Sequence, residues 1–149
     1  MQNILKTIKK NRHAYYQSIM DKIDIYIYRE KRYETSFSLA AVCSKEEISL
    51  NVEKIQNEIR ETDKVIQLSD DLLCIVFDST CHISYVKTAE NLNKALQECY
   101  FKDRFFISTA TSQEFNKNYL DMTNKLFERL EYAIQNNIFN TVVYEDFII

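Results

Sequence analysis

The stretch RETDKVIQLSDDLLCIVF, Arg60–Phe77, decides how the rest of the chain is read. It opens like the end of a helix. KVIQL and LLCIVF are two strand-length apolar runs, and they are separated by two carboxylates, Asp70 and Asp71. Two such runs so closely joined predict a β-hairpin. No glycine stands beside the turn, so Asp or Ser is expected to supply whatever positive φ the turn needs.

Outward from the hairpin, the periodicity changes to helical. Ser84–Cys99 places Tyr85, Ala89, Leu92, Leu96 and Cys99 in line, and Phe115–Asn136 does the same with Tyr119, Met122, Leu126, Leu130 and Ala133. Between them Arg104–Ala110 reads as a strand, and a last strand is expected near Phe139–Tyr144. Before the hairpin, Asn11–Arg32 carries the stripe Tyr15, Ile19, Ile23, Ile27. Ser36–Cys43 reads as a buried strand, and Lys45–Arg60 returns to helical spacing through Ile48, Val52, Ile55 and Ile59. The order is a helix, then β-α-β-β-α-β, then an added α-β. That predicts an α+β, ferredoxin-like sandwich with a mainly antiparallel sheet of about five strands. No linker or repeat interrupts it, so a single domain over 1–149 is expected.

The 149 residues contain no glycine and no proline. Loops that cradle phosphate through successive backbone N–H groups need glycine, which excludes a P-loop and a dinucleotide fingerprint. Helices must also end without a glycine cap, and Asn136 and Asn137 are the natural substitutes after the long C-terminal helix. A net charge of -3 argues against nucleic acid as a partner. The longest fully apolar run, LLCIVF, is far below the roughly 20 residues of a spanning helix, and MQNILKTIKK lacks the apolar core of a signal peptide. A soluble, cytoplasmic chain without membrane contact is expected. Cys43, Cys74, Cys81 and Cys99 show no metal-ligand spacing, so neither a metal site nor a cofactor is expected. Cys81 and His82 are adjacent, but sequence neighbours rarely face each other as nucleophile and base.

With the elements in this order, the chain resembles the GGDEF domain, the diguanylate cyclase fold of bacterial cyclic di-GMP signalling. TIKKNRHAYY, Thr7–Tyr16, stands where that family writes TGLxNRRxF, and Asn11-Arg12 keeps its NR pair. Arg60-Glu61-Thr62-Asp63 matches RxxD, SDDLL at Ser69–Leu73 occupies the GGDEF position, and ENLNKAL resembles the following AExLRxAL helix. The resemblance implies a site where an Asp ending the first strand and acids of the turn hold two metal ions and a triphosphate. Here Cys43 takes the strand-end position, Ser69 and Asp70 replace both glycines, Asp71 keeps the third-position acid, and Leu72 replaces the glutamate. Between Cys43 and Arg60 there is room for one helix where the family has two. The resemblance therefore implies a degenerate domain whose cyclase activity is lost, and a polar turn is the simpler reading of Asp70 and Asp71.

What remains is binding. In cyclases that carry it, RxxD takes cyclic di-GMP, and the resemblance makes Arg60 and Asp63 candidate ligand residues. Arg offers a flat fork to phosphate or a guanine edge, and the carboxylate accepts from guanine N–H groups. The plainer alternative is that Arg60 interacts with the helix end and Asp63 starts a turn. Arg29, Lys31, Arg32 and Lys64 are further cations that could assist. The other functional class is a protein-interaction or homodimerisation scaffold. Ten tyrosines and nine phenylalanines, clustered at Tyr15-Tyr16, Tyr26/Tyr28, Tyr100-Phe101 and Phe105-Phe106, would supply aromatic anchors, or simply fill the core in the absence of tryptophan.

Overall fold

The computed structural model describes residues 2–46, 48–100 and 103–145, so Phe101 lies outside the described residues. Its elements are α1 (Gln2–Lys22), α2 (Asp24–Tyr33), β1 (Ser38–Ser44), α3 (Val52–Gln56), β2 (Lys64–Ser69), β3 (Leu72–Phe77), α4 (Tyr85–Cys99), β4 (Phe105–Thr111), α5 (Tyr119–Gln135) and β5 (Val142–Val143). The sheet order is β2-β3-β1-β4-β5. The first three pairings are antiparallel and β4–β5 is parallel. This is the expected split βαβ sandwich with one strand added at the β4 edge.

β1, β3 and β4 are buried along their whole length because helices cover both faces. Alternation then sorts their side chains into two cores. Leu39, Ala41, Cys43, Cys74, Val76 and Phe106 face α1 and α5. Ala40, Val42, Leu73, Ile75, Phe105 and Ile107 face α3 and α4. Part of the aromatic load is consumed here: Tyr15, Tyr26, Phe37, Phe105, Phe106 and Phe127 are all buried.

Three expectations need correction. The first helix starts near the N-terminus rather than at Asn11, extending its stripe through Ile4 and Ile8, and it breaks at Ile23, where Tyr26 N–H bonds back only three residues to the Ile23 carbonyl at 3.0 Å. The helix expected over Lys45–Arg60 contracts to Val52–Gln56. Leu50 N–H donates to the Asp70 carbonyl at 2.8 Å, which lays the preceding segment across the hairpin turn, and the Asn51 side chain then caps α3 by accepting from Lys54 N–H at 3.0 Å. Finally, neither Asp70 nor Asp71 has positive φ. A register shift between Gln67 and Ser69 adapts the hairpin instead, leaving Ser69 opposite Leu72.

Positive φ appears elsewhere, at Glu34, Ser79, Asn116, Lys117, Asn137 and Asn140. Asn137 is the expected glycine substitute. It closes α5 in a Schellman motif, with Ile138 N–H on the Ala133 carbonyl at 2.8 Å and Asn137 N–H on that of Ile134 at 3.2 Å. Among the described residues, no helix is long and apolar enough to cross a membrane.

Candidate functional site

The sheet places the two groups of candidate residues at opposite ends of the hairpin. At the turn end, Cys43 is fully buried between its register partners Leu72 and Phe106. Burial, with Asp71 adding to it, pushes the Cys43 thiol far above its ordinary value, so it is a neutral S–H. Leu72 is likewise core. Asp70 is exposed, and its backbone carbonyl accepts from Leu50 N–H. Asp71 is half-buried and accepts from the Ser69 hydroxyl at 2.9 Å. Helix α1 closes over this corner, leaving a cavity of about 200 Å³ between Ile4, Thr7, Ile8, Tyr15, Asp71 and Leu72. Burial and the nearby Asp71 raise the Tyr15 phenol. Among the described residues, no three His, Cys, Asp or Glu side chains converge as a metal site.

At the other end, Arg60 and Asp63 meet each other. Asp63 is buried, and its carboxylate accepts four hydrogen bonds: Arg60 N–H and Arg60 Nε at 3.1 Å each, Arg60 Nη2 at 3.1 Å, and Asp78 N–H at 2.8 Å. That satisfies a carboxylate's accepting capacity and fixes the turn before β2. The Arg60 side chain runs over it, donates also to the Asp78 carbonyl, and keeps 56% exposure. Beside it opens a cleft of about 510 Å³. It is lined by the apolar Ile59, Phe77 and Leu92, by Ser79, Thr80, Ser84, Thr88 and Asn91 from the segment after β3 and from α4, and by Glu58 and Asp63 beside Arg60.

The sequence did not reveal the partners of this pair. Asp78, directly after β3, is mostly buried and takes Arg29 Nη1 from α2 at 2.9 Å. Tyr26 donates its hydroxyl to the Thr62 carbonyl at 2.7 Å. A carboxylate ending an apolar strand was the only local sign of Asp78. Of the other cations, Lys64 borders a second cleft on the far side of Asp63, and Lys31 lies over the Tyr119 ring. Cys81 and His82 diverge. Cys81 Sγ sits 3.6 Å from Ser84 Oγ, whose hydrogen bond lowers the thiol pKa, while His82 Nδ1 turns to Gln113 Oε1 at 2.9 Å.

No protein-family model matches the chain, and no curated protein matches it in sequence. Solved structures do match. The GGDEF domain of YfiN from Pseudomonas aeruginosa is 13% identical, with a TM-score of 0.65 over 86% of this chain and 93% of that one. The active GGEEF domain of a diguanylate cyclase from Vibrio cholerae is 12% identical, with a TM-score of 0.62 over 83% and 92%. The coiled coil and GGDEF domain of DgcB from Caulobacter crescentus, in complex with cyclic di-GMP, is 9% identical, with a TM-score of 0.54 over 87% and 80%. At these identities the match is one of architecture, and it agrees with the strand order and helix layers described above: the chain has the fold of the GGDEF domains.

Proposed function

We propose that residues 1–149 form a single GGDEF-like regulatory module of bacterial cyclic dinucleotide signalling, working in the cytoplasm by binding rather than by chemistry. Its ligand site is the Arg60 cleft, and its ligand is a cyclic dinucleotide such as cyclic di-GMP. The observation that carries this reading is the guanidinium of Arg60, laid over a buried, saturated Asp63 and open to a cleft of about 510 Å³. In this reading Arg60 is the residue that meets phosphate or a purine edge, and Asp63 holds it in place. The complex of DgcB with cyclic di-GMP supports the ligand class by analogy of fold.

The turn end supports loss of the cyclase reaction. Paired divalent cations bound to a triphosphate need several oxygen ligands in open geometry. Here a buried neutral thiol stands at Cys43, a core leucine at Leu72, and among the described residues Asp71 is the one carboxylate lining the α1 cavity. That donor set does not fit the metal pair.

Isothermal titration with cyclic di-GMP tests the ligand. The natural protein should give a saturable heat that Arg60→Ala abolishes, and no heat from the natural protein removes the reading. Incubation with GTP and Mg²⁺ or Mn²⁺ should yield no cyclic dinucleotide, and any product would overturn the loss of catalysis. A second reading, a protein-interaction or homodimer scaffold, is favoured by one feature. Ile25, Tyr28 and Tyr33 of α2 are 55%, 57% and 64% exposed, large for apolar and aromatic side chains. Light scattering at rising concentration decides whether that face pairs two copies.

A further inference from the structure

Asp78 is where α2 and the Arg60–Asp63 turn meet. Its N–H donates to Asp63 Oδ1 at 2.8 Å, its carbonyl accepts from Arg60 Nη2 and from the Thr80 hydroxyl, and its carboxylate accepts from Arg29 Nη1 at 2.9 Å. One turn earlier along α2, Tyr26 holds the Thr62 carbonyl, and the Arg29 guanidinium lies 5.8 Å from the Tyr26 ring. Helix α2 is thus pinned to the cleft's arginine turn at two points, both bearing on residues of the RxxD segment or on their direct partner. Its junction with α1 is irregular, though Ile23 N–H still bonds to the Ile19 carbonyl and Ile27 N–H to that of Ile23. The helix is interrupted at Ile23, and no side chain caps the new N-terminus.

From this wiring we infer that α2 is the output element of the Arg60 cleft. This rests on the cleft taking an anionic ligand. An anion that draws the Arg60 guanidinium toward the cleft competes with the Asp78 carbonyl for the same Nη2 donor. Loss of that bond loosens Asp78, and Asp78 holds Arg29. The change therefore reaches α2, whose outer face carries Ile25, Tyr28 and Tyr33. Coupling of this kind is a free energy shared between two sites and must be reciprocal. Here the shared element is one residue bonded to both sides, which is a physical link rather than a correlation.

The test does not need the ligand to begin. Arg60→Ala removes the bond to the Asp78 carbonyl directly, and hydrogen exchange then reports on α2. The amides of residues 24–33 should exchange about 5-fold faster or more, the lower range of measured couplings, while those of residues 126–135 in α5, beyond the Tyr119 hydroxyl that donates to Glu30 of α2, stay unchanged as an internal reference. In the reciprocal variant, Arg29→Gln, the amides of Asp63 and Asp78 should quicken. Unchanged α2 exchange in Arg60→Ala, or an equal rise in α5, overturns the inference. With cyclic di-GMP as the probe, the natural protein should show altered α2 exchange. A Tyr26→Phe, Arg29→Gln double variant should bind the nucleotide yet show no response in α2. If cyclic di-GMP gives no heat at all, the ligand assignment fails, and the exchange results on the unliganded variants still decide the coupling.

Discussion

The side-chain amide of Gln56 completes the outer edge of the sheet at Val65. Its Oε1 accepts from Val65 N–H at 3.1 Å and its Nε2 donates to the Asp63 carbonyl at 3.0 Å. β2 is the first strand of the sheet, so these backbone groups face away from β3 and have no strand to pair with. An unpaired edge is a template for association, and a single amide, using one donor and its acceptor, blunts it.

Gln56→Ala should therefore lower stability by about 1–2 kcal/mol in urea unfolding, the ordinary cost of losing such a clamp. The Val65 amide should also become the fastest-exchanging position of β2. Gln56→Glu keeps an acceptor for Val65 but no donor for Asp63, and should fall between the two. A Gln56→Ala protein as stable as the natural one would mean water serves this edge equally well.

The same residue shows what the sequence could and could not tell. The hairpin, α4 and α5 were legible because apolar spacing reports directly on which face is buried, and the sandwich follows from their order. The segment before Arg60 was not legible. Ile48, Val52, Ile55 and Ile59 keep helical spacing, yet only Ile55 is fully buried, and tertiary bonds from Leu50 to Asp70 and from Gln56 to Val65 override the local preference. Arg60 and Asp63 were visible as a motif, and so were the changed turn positions. Asp78 was not, and Arg29 and Tyr26 stood out only as one cation and one aromatic among several, because a network joining residues 26 to 78 leaves no periodic trace.

Cys43 is a core residue at a position where the fold's resemblance implies an acid, and that makes a sharp expectation. Cys43→Asp would bury a carboxylate among Leu72, Phe106 and Cys74 without a cation and should cost about 3–5 kcal/mol. Cys43→Ser, which buries one hydroxyl, should cost about 1–3 kcal/mol. Thermal and chemical unfolding of both variants would check the order. A Cys43→Asp protein that is fully stable, and is stabilised further by Mg²⁺, would show that the corner can still assemble an ion site.

Thiol reactivity separates the four cysteines. Burial pushes the Cys74 thiol up to about 12 and that of Cys43 higher still, and Cys99 is also raised, chiefly by desolvation. Cys81 alone is lowered, first by its hydrogen bond with Ser84. Iodoacetamide at neutral pH should label Cys81 first, as followed by mass spectrometry. Ser84→Ala should slow that labelling, and Cys43 and Cys74 should react only after unfolding.

Glu131 links stability to pH in a direction opposite to most carboxylates. It pairs with Arg12 between α1 and α5, but burial outweighs that attraction and raises its pKa above the ordinary 4.5. The folded protein then binds a proton more readily than the unfolded chain. Stability from this group is complete below pH 4.5 and declines as pH rises toward the folded value. Glu131→Gln removes the titration, so its stability relative to the natural protein should improve as pH rises from about 4 to 7. A constant difference across that range would exclude Glu131 as the source.

Asp63 and Arg60 should differ in what their loss does, because one is the anchor and the other the presented group. Asp63→Asn keeps a single acceptor for four donors, two of them the backbone N–H groups of Arg60 and Asp78, and places an NH₂ where donors converge. The cost should be about 2–3 kcal/mol, that of leaving buried donors unpaired. Arg60→Ala removes a side chain that is more than half exposed, leaves Asp63 its two backbone donors, and should cost about 1 kcal/mol or less. Binding should rank the other way for the residue that touches the ligand. Arg60→Lys keeps the charge but loses the fork, so it should retain stability and lose most cyclic di-GMP affinity. If Asp63→Asn proves as stable as the natural protein, the carboxylate is not the anchor of this turn. It would then be free to meet the ligand itself.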